Sequence, residues 1–239
     1  MFSEESVFLF LVFASALFAI GLGFLTGKIF VTELADWGND AHEYIATGLE
    51  LARYHRFHAP DSLFFGPFQK GPGYPLFLAA IFETAGESAI LAWTSHLALW
   101  IASLWLLWKI SQRFLKGRRA LLPPLFLGFY WGAAAYVIDI NSDLIALFLT
   151  LVFVYACLKY QEERRLPFAV IAGFSFGFLI LAKPIALYAL PVLVILLALS
   201  LRVPSIASAK AGVPSKRDFA ALAVMAVLAG GLAGMWSYY

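Results

Sequence analysis

Three observations predict an all-α, polytopic membrane fold of about seven transmembrane helices, with an external loop carrying an interfacial helix between the first and second. The chain is 62% hydrophobic and only 13% charged, and its mean hydropathy of +0.82 lies far outside the range of soluble domains. Its charges cut the 239 residues into long uncharged windows. Its lysines and arginines gather in alternate loops.

The windows cover 6–27, 88–108, 120–138, 144–158, 166–182, 184–201 and 219–239. A helix rising about 1.5 Å per residue needs about 20 apolar residues to cross roughly 30 Å of hydrocarbon. The shorter windows reach that length with flanking residues that snorkel. With the N-terminus cytoplasmic, 12 of the 17 Lys and Arg fall inside, and Lys28, Arg53, Arg56, Lys70 and Lys183 fall outside. Glu4 and Glu5 before the first span and Lys28 after it favour the reverse locally, but later loops can dominate. Ten of the 15 acids lie in the external loops, so polar chemistry is concentrated there. The expected location is the plasma (inner) membrane.

The same composition excludes other classes. A net charge of +2 spread thinly leaves no basic stripe, so no nucleic-acid partner is expected. The single Cys157 sits in an apolar window and reads as a small buried residue, without a disulfide framework. The first window follows an acidic segment and is longer than the apolar core of a secretory signal, which makes it a retained anchor.

The single membrane domain, 1–239, has one long loop, 28–87. Within 41–54, Ala41, Ile45, Leu49 and Ala52 recur at helical spacing opposite Glu43, Thr47, Glu50 and Tyr54, which predicts an amphipathic helix lying on the membrane surface. Gly71, Pro72, Gly73 and Pro75 then predict a turn. The apolar stretch from Gly71 to Phe82 is too short to span, so the 72–86 segment reads as re-entrant or interfacial. Residues 161–165 form a charged cytoplasmic turn and 203–216 a linker rich in small residues. No repeat suggests the inverted halves of a transporter.

Asp36 and Asp40 gather with His42 and Glu43 where the chain meets the membrane, making this the first candidate site. A carboxylate there stays hydrated and ionised, whereas at mid-bilayer it costs about 2.5 to 3.5 kcal/mol. Such a group can act as general base on an acceptor hydroxyl. Asp40 followed three residues later by Glu43 is also an acidic variant of the box that caps a helix, and the two readings are compatible. His42, His55 and His58 lack the spacing that brings two imidazoles onto one helical face, so no metal is expected. His96, inside the second span, is either functional or a neutral imidazole bonded to a neighbouring helix. Lys183 closes the fifth span and either pairs with a lipid phosphate or snorkels. Asp139 and Asp143 flank a tight external turn and read as solvated.

Four stretches, in order, carry a resemblance: Asp40 to Tyr44, the Pro-Gly-Tyr-Pro-Leu-Phe-Leu-Ala string from Pro72 to Ala79, Asn141-Ser142-Asp143-Leu144, and Ala182-Lys183-Pro184. The last two stand where relatives often carry Ser-Glu-Pro and Thr-Arg-Pro. The 235–239 segment looks like a worn Trp-x-x-Arg-Asn-Tyr pattern. The chain resembles the multi-spanning membrane glycosyltransferases of the C-type (GT-C) fold, related to protein O-mannosyltransferases and to aminoarabinose transferase-like bacterial enzymes of the cell envelope.

That resemblance implies transfer of a sugar from a polyprenyl-phosphate-linked donor at the external face of the lipid bilayer, with no cofactor. It implies Asp40 as catalytic base, with Asp36 as second choice. Glu43, Tyr44, Lys70, Tyr74 and Lys183 become substrate-binding candidates, the two lysines for the donor phosphate. Lys at 183 keeps the charge of the usual Arg but loses its bidentate fork, and Asp143 is shorter than the usual Glu. Relatives of this kind are usually far longer. The chain is therefore expected to be a fragment, inactive alone, or a module completed by a C-terminal half or partner subunit. The rival readings are a transporter or lipid flippase subunit and a non-catalytic scaffold.

Overall fold

The computed structural model describes residues 3–28, 39–57, 71–189 and 216–236, and among these the chain is all-helical. Helix α1 (Glu4–Leu25) starts at Ser3, whose hydroxyl accepts the Ser6 N–H, and carries Glu4 and Glu5 against the positive end of the helix dipole. It stops at Thr26 and at Gly27, whose φ of +72° suits glycine. Helices α2 (Asn39–Tyr54) and α3 (Gly73–Ala85) lie in the long loop, followed by α4 (Ala89–Phe114). A 3-10 turn at Gly117–Leu121 leads into α5 (Leu122–Phe129) and α6 (Trp131–Ile138). Then come α7 (Asp143–Glu163), α8 (Leu166–Ala182), a 3-10 turn at Pro184–Ala189, and α9 (Lys216–Trp236).

Three of these helices, α1, α4 and α7, are long and apolar enough to cross a membrane, and a fourth span results if α5 and α6 count as one. The expected seven are not confirmed. The 120–138 window is bent by 59° between α5 and α6. At 17 residues α8 is a short apolar helix, and most of 184–201 lies outside the described residues.

The bend has a packing cause. Gly132 lacks a side chain where the Tyr130 ring folds over it, and a Cβ there would come 3.1 Å from that ring. The Gly128 carbonyl, in the last turn of α5 where helical partners run out, is instead met by the Ser15 hydroxyl at 2.8 Å. Ser15 in turn accepts the Trp100 indole N–H at 2.9 Å, joining α1, α4 and α5 through fully buried groups.

The proline-rich turn also differs from expectation. α3 begins at Gly73, so Pro75 lies inside its first turn, where an N–H has no helical partner to lose.

Ring and ion contacts sort the helix ends. Phe8 stacks on Trp108 at 4.2 Å and Arg113 meets Glu162 at 3.0 Å, so the start of α1 and the ends of α4 and α7 share one end of the bundle. That end also carries Lys109, Lys116, Arg118, Arg119, Lys159, Arg164 and Arg165. The opposite end holds Lys28, α2, α3, Asp139, Asp143 and Lys183. α8 and α9 run parallel: a Cβ on Gly173 would meet Met225 at 2.8 Å, and one on Gly177 would meet Leu232 at 2.6 Å. Close approach through small residues is the usual way apolar helices associate where lipid removes any hydrophobic drive.

Candidate functional site

The four motif stretches, far apart in sequence, meet at the end opposite the basic one. α2 lies directly on α3 because Gly48 has no side chain: a Cβ there would approach the Leu78 Cβ to 3.0 Å. Tyr44 then packs edge-on against the Tyr74 ring, with centroids 4.9 Å apart, and its hydroxyl lies 3.2 Å from that of Ser142. Around this contact Ile45, Leu78, Phe82, Ala89, Ile140, Ile145 and Ala182 form a buried cluster. Gly71 and Gly73 sit against the last turn of α8, where a Cβ would come 2.0 Å from the Leu181 carbonyl oxygen and 2.6 Å from the Ala182 nitrogen. Only glycine permits that approach.

Two ion pairs flank the junction. The Lys183 ammonium donates to the Asp143 carboxylate, and Lys28 donates to Asp139. Both acids, expected to be solvated, are half-exposed and paired. The Asn141 side chain accepts the Asp143 N–H at 3.0 Å and so ties the turn to the start of α7. Partial burial lowers the Lys28 pKa. At the far end of α2, Arg53 grips Glu87 with two hydrogen bonds; these hold the Glu87 carboxyl below its usual range and raise the Arg53 pKa.

The expected site residues fare differently. Asp36, Lys70 and His58 lie outside the described residues. Asp40 falls in the first turn of α2, one turn before Tyr44. Glu43 is half-buried on α2, and Tyr44 is 8% exposed. Tyr74 is fully buried, with its hydroxyl 2.8 Å from His96 Nε2, so it belongs to the core beneath the junction. The second of the two readings of His96, an imidazole bonded to a neighbouring helix, fits this contact. Lys183 neither snorkels freely nor stands open, since Asp143 holds it. Among the described residues no three His, Cys, Asp or Glu side chains gather as a metal site would require. Sequence reasoning missed the hydroxyl contact of Ser142, the pairing of Asp139 with Lys28, and Tyr74 as the partner of His96. A lone serine or histidine gives no pattern to find.

The junction thus gathers a cation, carboxylates and hydroxyls in one polar layer above an apolar bundle. Such a layer can hold an anionic headgroup and accept a proton from a hydroxyl.

No curated protein and no solved structure matches the chain. A family model described as dolichyl-phosphate-mannose-protein mannosyltransferase matches residues 69–230, which is 162 of the 239. The match runs from the start of the Pro-Gly-Tyr-Pro segment through Asn141–Asp143 and Lys183 into α9, and it leaves out Asp40 and Tyr44. Most of the polar layer therefore lies within the matched span, and the chain belongs to the dolichyl-phosphate-mannose-protein mannosyltransferase family of C-type membrane glycosyltransferases.

Proposed function

We propose that the chain is a glycosyltransferase module that moves a sugar from a polyprenyl-phosphate-linked donor to an acceptor at the external face of the plasma membrane. Asp40 is the general base. It takes the proton of the acceptor hydroxyl as that oxygen bonds to the anomeric carbon. The bond from that carbon to the phosphate oxygen breaks, and polyprenyl phosphate leaves with the electron pair. Lys70 holds the donor phosphate, or Lys183 does so by exchanging Asp143 for it; Asp36 is the second choice as base, and Glu43 and Tyr44 line the sugar side.

The observation that carries this reading is the convergence of motif segments separated by up to about 140 residues on one end of the bundle, opposite the basic end. A lipid phosphate stays at headgroup depth, so a base on an interfacial helix meets the sugar where the lipid presents it. The basic end faces the cytoplasm, which puts the N-terminus there as well. A C-terminal half or partner subunit supplies the remainder of the acceptor site.

Transfer from a polyprenyl-phosphate sugar, assayed with the chain alone and with the proposed C-terminal half or partner subunit added, tests the reading. Asp40→Asn is expected to lower kcat at least about a hundredfold, the usual worth of a positioned base. Wild-type rates in that variant remove Asp40 as base, and solute transport without any glycosylated product favours a transporter.

A further inference from the structure

We propose that Tyr74 and His96 form a positioning pair that fixes α2 and the 139–143 turn relative to one another, and with them the two sides of the site. The inference rests on the site read above. It assigns Tyr74 a role different from contact with substrate, because both side chains are fully buried.

The pair joins three elements. The Tyr74 ring supports Tyr44 of α2 edge-on at 4.9 Å. Its hydroxyl lies 2.8 Å from His96 Nε2 on α4. The imidazole also lies beside the backbone of Tyr136 and Val137, and its Nδ1 has no hydrogen-bond partner of good geometry. Those residues belong to the last turn of α6, whose carbonyls have no helical N–H to accept. The imidazole tautomer sets which of the two groups donates in the Tyr74–His96 bond, and either direction holds the same geometry. α6 runs straight into Asp139, Asn141, Ser142 and Asp143. Tyr44 touches Ser142 from above and, through Tyr74, is linked to His96 of α4, a helix that packs against α6 below the same turn. Phenylalanine and leucine would fill these two places without any polar group to desolvate. What the polar pair adds is direction: a hydrogen bond fixes the register of two elements where apolar contact lets them slide.

The test uses the full chain in lipid nanodiscs with three variants, Tyr74→Phe, His96→Gln and the double Tyr74→Phe/His96→Leu. Hydrogen exchange of peptides covering α2 and 139–146 is read beside transfer kinetics and Tm. Tyr74→Phe is expected to raise exchange in both segments about tenfold, leaving α8 and α9 unchanged, and to lower kcat about tenfold with the donor KM unmoved. His96→Gln keeps an acceptor and a donor and stays within about twofold of wild type. The double variant strands neither member of the pair, so Tm recovers while exchange and kcat do not.

Unchanged exchange in Tyr74→Phe overturns the proposal. So does a double variant that regains protection and rate together with Tm, since the pair is then only a core hydrogen bond. An active wild type whose kcat ignores a loosened α2 overturns it as well. If the wild type transfers no sugar even with the C-terminal half or partner subunit added, the functional reading falls, and the exchange data still decide whether the pair positions these elements.

Discussion

Gly71 and Gly73 show how much of the site depends on atoms that are absent. The two residues bring the Pro-Gly-Tyr-Pro backbone against Leu181 and Ala182, next to Lys183. A methyl group at position 71 would lie inside the van der Waals surface of a carbonyl oxygen, and neither backbone can yield as a flexible side chain would. Gly71→Ala is expected to destabilise the chain by about 3 kcal/mol or more, the upper end for overpacking. Gly21→Ala, with nothing within 4 Å of the added carbon, is the matched control and should change little. Thermal unfolding in the same detergent compares the two. The glycines were visible in the sequence as a turn signal, but their reason was not, because the partner backbone lies about 110 residues further along the chain. The ion pair of Lys183 with Asp143 was hidden in the same way. Spacing along a chain shows what shares a helix face, and ion pairs between helices depend on packing that spacing does not encode.

At the level of elements, uncharged windows located α1 and α4 closely: 6–27 against Glu4–Leu25, and 88–108 against Ala89–Phe114. The amphipathic pattern over 41–54 likewise coincides with α2. The window method failed at 120–138, because a run without charge looks the same whether it is straight or bent. Pro123 and Pro124 do not mark the bend, since both sit in the first turn of α5. The break follows instead from Gly132, which makes room for the Tyr130 ring, and from Ser15, which meets the freed Gly128 carbonyl. Ser15→Ala strands that carbonyl and the Trp100 N–H together, and is expected to cost about 1 to 2 kcal/mol in an apolar surrounding. Ser103 bonds only the Leu99 carbonyl one turn back in its own helix, so Ser103→Ala should stay within about 0.5 kcal/mol. Equilibrium unfolding in mixed micelles distinguishes these outcomes, and equal losses for both serines would refute the account of the bend.

For the molecule as a whole, the separation of charge into two ends was legible from the loop counts, and the helix contacts agree with it. The sidedness of that separation is a prediction. A cysteine placed at Glu50 of α2, in a Cys157→Ser background, should react with a membrane-impermeant maleimide added outside intact cells. One placed at Lys116 should react only after permeabilisation. Labelling in the opposite order would put the candidate site in the cytoplasm and end the reading of an external transferase.

The unequal strength of the seams around the site determines where it can open. The 71–73 backbone is seated on the end of α8 with no gap between main chains, so those two pieces and Lys183 travel as one block. α2 meets the 139–143 turn through the Tyr44 and Ser142 hydroxyls, 3.2 Å apart, above a buried cluster that holds Ile45 and Ile140. A bulky guest entering this layer is therefore expected to part the Tyr44 and Ser142 hydroxyls before it disturbs the glycine seat.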